Sequence, residues 1–117
     1  MTIYEIQQYC LTKPGVTEYF PFDEDTPCYK AGKIFLLANL IPPISINLKC
    51  DPEKAIELRE RYESVIPGYH MNKKHWNTIY LDGNIPKREI LEWIDHSYDL
   101  IIASLKKKER IELLGGE

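Results

Sequence analysis

Cysteine is scarce in this chain and poorly placed for cross-linking. Only Cys10, Cys28 and Cys50 occur in 117 residues, widely spaced and without a Cys-x-x-Cys pair, which argues against both a disulfide framework and a zinc knuckle. Long apolar runs are also missing, none approaching the ~20 residues that a bilayer-spanning helix requires. The opening Met1-Thr2-Ile3-Tyr4-Glu5 carries neither the basic nor the apolar region of a secretory signal. These absences together predict a reduced, cytoplasmic setting and no membrane partner. Positive charge is not in excess either. With 15 Lys and Arg against 18 Asp and Glu, the formal charge is −3, which weighs against gripping nucleic acid through a global field. Any basic contact surface must be local.

What is present suits an ordinary globular domain. The chain is 44% apolar and 28% charged, with eight tyrosines among its aromatics, a composition that buries a core rather than staying disordered. At this length one domain spanning 1–117 is expected, large enough to bury roughly two thirds of its unfolded surface. No internal repeat, low-complexity tract or linker interrupts it.

The order of elements can be read from local patterns. Thr2 and Glu5 form a capping box, and Ile3, Ile6 and Cys10 share one face, so a helix is expected over 2–12, ended by Lys13-Pro14-Gly15. Residues 17–22 are rich in β-formers, and 28–30 joined through Ala31-Gly32 to 33–37 reads as a hairpin. Ile44, Ile46, Leu48 and Cys50 alternate with Ser45, Asn47 and Lys49, a period of two that predicts a half-exposed strand. Asp51-Pro52-Glu53 is a well-formed helix start. Its stripe runs through Ala55, Ile56, Arg59, Tyr62 and Val65 to Pro67-Gly68. Residues 76–81 return to strand character. A third, long helix is expected from Pro86 onward, with Lys106-Lys107-Lys108 at the negative end of its dipole. Hairpin-linked strands with helices on one face make an α+β fold with an antiparallel sheet and three helices.

Between the second helical pattern and the last strand pattern lies a dense polar stretch. Tyr69, His70, Asn72, Lys73, Lys74, His75, Trp76 and Asn77 offer two firm positive charges, two imidazoles, two amides and two rings, a mixture suited to holding a phosphate and stacking a base. These eight residues are the candidate ligand-binding or nucleic-acid-binding set. A plainer reading makes Tyr69 and Trp76 core anchors, the asparagines caps for loop backbone, and the lysines solvated.

The run Pro67-Gly68-Tyr69-His70-Met71-Asn72-Lys73-Lys74-His75-Trp76-Asn77-Thr78-Ile79, with Tyr80-Leu81-Asp82-Gly83, Ile85-Pro86 and Asp95-His96-Ser97-Tyr98-Asp99-Leu100-Ile101, resembles the MmcQ/YjbR family of small bacterial proteins. Pro14-Gly15-Val16-Thr17-Glu18 with Pro21-Phe22, Lys33-Ile34-Phe35 and Ile46-Asn47-Leu48-Lys49-Cys50 extend the likeness over nearly the whole chain. The resemblance implies a compact α+β fold of CyaY-like arrangement and a DNA-binding label that rests on structural analogy. It implies no catalytic mechanism.

Two functional expectations follow. The first is a non-enzymatic protein that binds DNA or another anionic ligand through the 69–77 segment. The second is a small-molecule or protein-binding module, using a cleft between the sheet and the long helix with His70, Asn72, His75 and Asn77 converging. Acid and base chemistry by the same groups is a third, weaker reading, because no triad spacing, phosphate loop or complete ligand set supports it.

No cofactor and no metal are expected. His70 and His75 lie five apart, not at the four-residue spacing that pairs imidazoles on a helix, and Glu92, His96 and Asp99 read as a hydrated charged face. Cys28 and Cys50 read as small buried hydrophobes rather than nucleophiles. The acidic turn Asp23-Glu24-Asp25 reads as surface, and Lys106, Lys107, Lys108 and Arg110 as a helix end or a second phosphate contact.

Overall fold

The capping box forms as expected. In the computed structural model, which describes residues 1–69 and 71–115, Thr2 Oγ1 accepts from the Glu5 amide at 3.2 Å while the Glu5 carboxylate accepts from the Thr2 amide at 2.9 Å. This opens α1 (Ile3–Leu11), which buries Ile6 and Cys10. Burial pushes the Cys10 thiol up to about 12, so it serves as packing. The chain leaves α1 through Gly15, at φ 75°, where a Cβ would meet Leu113 at 2.6 Å.

Among the described residues six strands follow: β1 (Thr17–Tyr19), β2 (Cys28–Ala31), β3 (Lys33–Asn39), β4 (Ser45–Lys49), β5 (Val65–Pro67) and β6 (Trp76–Tyr80). They form one sheet in the order β1-β2-β3-β4-β6-β5, every pair antiparallel. β2 and β3 form the predicted hairpin through Gly32. α2 (Pro52–Arg61) carries the chain from β4 across to the edge strand β5, and α3 (Lys87–Ser104) lies over β2, β3 and β4. The fold class is α+β, as the sequence indicates.

One face of the sheet is the core. Leu36, Ile46, Leu48 and Ile79 are buried with Ile90, Trp93 and Ile94 of α3. Ser97 fixes this helix to the central strands, donating to the Phe35 carbonyl at 2.6 Å and accepting from the Lys49 amide at 2.9 Å. Phe35 and Tyr98 meet edge to face at 5.4 Å. A Lys13–Asp95 pair at 2.6 Å ties α1 to the same helix.

Three expectations are corrected. α2 is shorter than its stripe suggested: Tyr62 is already extended, Ile56 is 53% exposed, and the buried positions are Ala55 and Leu58. Val65 and Ile66 leave the helix because β-branched residues gain a partner strand, with Val65 opposite Ile79. The β4 strand is not half-exposed, since Ser45 and Asn47 are as buried as Ile46 and Leu48. Finally, the helices number four among the described residues. The chain breaks at Leu105, which is buried against the Gly32 turn, and restarts as α4 (Lys107–Leu114). Lys106, Lys107 and Lys108 therefore stand at a helix N-terminus. Glu109 caps that terminus, its carboxylate accepting from the Lys106 amide at 3.1 Å.

Among the described residues no helix is long and apolar enough to cross a membrane.

Candidate functional site

The sheet face opposite α3 carries a cleft of about 600 Å³, within the usual size range of small-molecule sites. Its floor is built by strand alternation. Leu37, Asn47 and Thr78 stand side by side across β3, β4 and β6, and Asn39, Ser45 and Tyr80 form the next row. Because successive side chains in a strand point to opposite faces, the residues that put Ile46, Leu48 and Ile79 into the core necessarily put these six on the other side.

Three loops raise the walls. Phe22, Asp23 and Thr26 come from the β1–β2 connection, Ile41 and Pro43 from the β3–β4 connection, and Tyr69 and Met71 from the β5–β6 connection. The β3–β4 turn contains a cis Pro42–Pro43 peptide. Phe22 (68% exposed), Ile41 (56%) and Tyr69 (62%) are large apolar side chains left at the rim, where a closed core would have covered them.

The floor is polar where a core would be apolar. Thr78 Oγ1 donates to Asn47 Oδ1 and accepts from the Tyr69 amide at 2.8 Å, so one hydroxyl links the floor to the β5–β6 lip. Asn39 is committed to its own turn, bonding both the amide and the carbonyl of Ile41. The Asn47 Nδ2 group and the Ser45 hydroxyl have no hydrogen-bond partner among the described residues, and neither is an enclosed orphan. Both open toward the cleft. Asp23 is the only charged side chain among the described residues lining it; its Oδ1 accepts from the Asp25 amide at 2.9 Å.

The eight candidate residues of the 69–77 segment do not converge. Tyr69 reaches the cleft rim. His70 lies outside the described residues. Asn72 caps its own loop, its Oδ1 accepting from the Lys74 and His75 amides at 2.9 and 3.3 Å, and Lys73 donates to the Gly68 carbonyl at 2.8 Å. Lys74 is exposed, while His75 and Trp76 are half-buried. Asn77 is 1% exposed and faces α2, donating to the Ala55 carbonyl at 3.3 Å. The expected cleft between sheet and long helix, with His70, Asn72, His75 and Asn77 converging, is thus displaced. That interface is filled by the core, and Asn77 belongs to it because it sits one residue out of phase with Thr78.

Arg59 is the residue that organises this loop, and the sequence reading placed it merely on a helix stripe. Its Nε donates to Asn77 Oδ1 at 2.6 Å, and its guanidinium also donates to the Trp76 carbonyl at 3.3 Å and to the Lys73 carbonyl. A planar fork of donors suits such a set of fixed acceptors. The signal for the cleft itself was present in Ser45, Asn47 and Thr78, polar residues at alternate strand positions, and in Phe22 and Ile41 placed outside any apolar pattern.

Other chemistry is sparse. No group of three or more His, Cys, Asp and Glu side chains among the described residues is placed to hold a metal ion. Burial pushes the Cys28 thiol up to about 11, with the Asp23 carboxylate adding to the shift, and burial does the same for Cys50. Neither is poised as a thiolate.

Comparison with known proteins places this architecture. The YjbR family profile matches residues 11–100. The uncharacterised protein YjbR of Escherichia coli (strain K12) is 34% identical over 112 residues, covering 94% of this chain and 95% of that protein. YyaQ of Bacillus subtilis (strain 168) is 46% identical over 55 residues, 47% of this chain and 46% of that one. The crystal structure of Deinococcus radiodurans DR2400, a DUF419 domain, superimposes with a TM-score of 0.91 at 37% identity, covering 99% of this chain and 89% of that one. A Pseudomonas syringae crystal structure superimposes at 0.78 with 27% identity, covering 86% of this chain and 99% of that one. The chain belongs to the YjbR family.

Proposed function

We propose that this protein is a non-enzymatic binding module that takes a small, largely apolar molecule into the cleft on the open face of its sheet. One observation carries the reading. A buried polar floor, with the Ser45 hydroxyl and the Asn47 amide open to it, lies under an uncovered cavity rimmed by Phe22, Ile41 and Tyr69. The Ser45 hydroxyl and the Asn47 Nδ2 group keep access to solvent and are open to a ligand's polar atom, while exposing large apolar side chains forgoes burial. A bound molecule with an apolar body would cover the rim, and its hydrogen-bonding group would take the place of water at the floor.

The test is a titration of 15N-labelled protein with a metabolite panel, followed through backbone amide shifts. The expected result is a saturable shift at Leu37, Asn47 and Thr78 that weakens in Asn47→Ala. Shifts confined to the helix face would overturn the reading.

A contact with DNA or another anionic ligand through the 69–77 segment is the second reading, supported by the exposure of Lys74 and of the Tyr69 ring. The internal bonding of Asn72, Lys73 and Asn77 leaves it fewer groups than the sequence suggested. Fluorescence anisotropy of labelled duplex and single-stranded DNA over a salt series tests it. Affinity with a steep salt slope, lost in Lys73→Glu/Lys74→Glu, would support a phosphate-contacting surface.

A further inference from the structure

The rim of the cleft is asymmetric in charge. Phe22 and Asp23 stand together on the β1–β2 lip, Asp23 is followed by Glu24 and Asp25, and no lysine or arginine is among the described lining residues. Four cations elsewhere have other engagements. Lys13 is paired with Asp95, Lys30 sits 4.6 Å over the Tyr19 ring, Lys73 bonds the Gly68 carbonyl, and Arg59 is held on the opposite face by Asn77. The remaining walls and floor bring in the Tyr69 and Tyr80 rings and the Phe22 ring.

A lone carboxylate beside aromatic rings recognises positive charge. The carboxylate attracts it directly, and the ring faces attract it through their quadrupoles. An anion would meet the same carboxylate as repulsion, with no counter-charge among the described lining residues. Of the floor groups, the Ser45 hydroxyl can accept or donate and the open Asn47 Nδ2 can only donate; neither carries a net charge, so the sign of the preferred charge is set at the lip.

We infer that the cleft selects a primary or substituted amine carrying an apolar body, its cationic head held near Asp23 among the rings and its body over Leu37 and the β4–β6 floor. This rests on the cleft being the binding site.

The experiment uses three probes with one aromatic body: 2-phenylethylamine, 2-phenylethanol and 3-phenylpropanoate. Each is titrated into the full 15N-labelled chain at low salt. The amine should bind about fivefold more tightly than the alcohol, the magnitude of one exposed ion pair or cation–π contact, and the carboxylate should bind most weakly. In Asp23→Asn the amide oxygen can still accept from the Asp25 amide, so the lip is kept, and the amine advantage should vanish while the alcohol is unaffected. Asn47→Ala removes a donor that the alcohol and the carboxylate can use and the ammonium cannot, so it should weaken those two and leave the amine little changed. Equal binding of amine and alcohol in the unmodified protein overturns the cation selection and leaves the cleft as a neutral site. Tightest binding of the carboxylate overturns it in favour of anions. If none of the three moves the amides of Leu37, Asn47 or Thr78, the cleft reading falls and the inference falls with it.

Discussion

The two faces of the central sheet are made from the same strands and obey opposite rules. On the face under α3, Leu36, Ile46, Leu48 and Ile79 are buried among apolar neighbours, and the polar Ser97 is there to fasten the helix. On the other face, Ser45, Asn47 and Thr78 are equally buried, yet no helix covers them and the loops around them expose Phe22, Ile41 and Tyr69. Burial alone therefore does not distinguish a core from a site. What does is the match between side chain and cover: under helix, apolar groups with the hydrogen-bonded Asn77 and Ser97 on one side, and polar groups under open space on the other.

That contrast breaks most sharply through substitutions on the covered face. Ile46→Ala is expected to lower the free energy of unfolding by about 3 kcal/mol, measured by urea denaturation, while leaving the residues that line the cleft in place. Arg59→Met comes next. Losing its charged hydrogen bonds and leaving the buried Asn77 oxygen unpaired should cost about 2 kcal/mol. It should also speed hydrogen exchange at the Gly68 amide, which now donates to the Trp76 carbonyl at 2.8 Å.

Thr78→Val keeps the shape of the floor but removes the hydroxyl that joins Asn47 to the Tyr69 amide. A loss of about 1 kcal/mol is expected, together with amide shifts in the β5–β6 lip. A valine that perturbs the helix face as strongly as the lip would erase the distinction between the two sides.

The smallest effect is a pH dependence confined to the covered face. His96 Nε2 accepts from the Asp51 amide at 3.2 Å, at the start of α2. Burial first, then the positive charge of Lys54, hold its pKa below the usual 6.5, with Asp51 and Asp99 opposing the shift. The unfolded chain thus binds the proton more readily than the folded one. The stabilising contribution is complete above pH 6.5 and is lost as pH falls from there through the depressed folded value. His96→Gln should flatten the stability profile across that window in denaturation curves, and leave cleft binding unchanged.

Much of the architecture was legible because it is written in local periodicity. The Thr2–Glu5 capping box, the hairpin at Ala31-Gly32 and the helix start at Asp51-Pro52 all act within a few residues of themselves. What escaped depends on partners distant in sequence. Whether Val65 extends a helix or joins a strand is decided by Ile79, and whether the last helix continues past Leu105 is decided by the Gly32 turn that Leu105 covers. The candidate site failed for a related reason. A run of polar and aromatic residues such as 69–77 advertises chemistry, but its side chains part company according to strand phase, Tyr69 going to the rim and Asn77 to the core. The alternation of β4 was visible and was read as exposure on its polar side. Alternation reports which residues share a face, and only the loops determine whether that face is wet.

The Arg59 clamp has a consequence for how this surface can change. Two of its three acceptors, the carbonyls of Lys73 and Trp76, belong to the backbone, and Asn77 is the one side chain it requires. None of these acceptors is at positions 69 or 71, whose side chains form one wall of the cleft. A substitution at either position leaves the bonds of the clamp itself in place. The wall of the cleft and the clamp that holds the loop beside it are thus built from different residues, and one can change without the other.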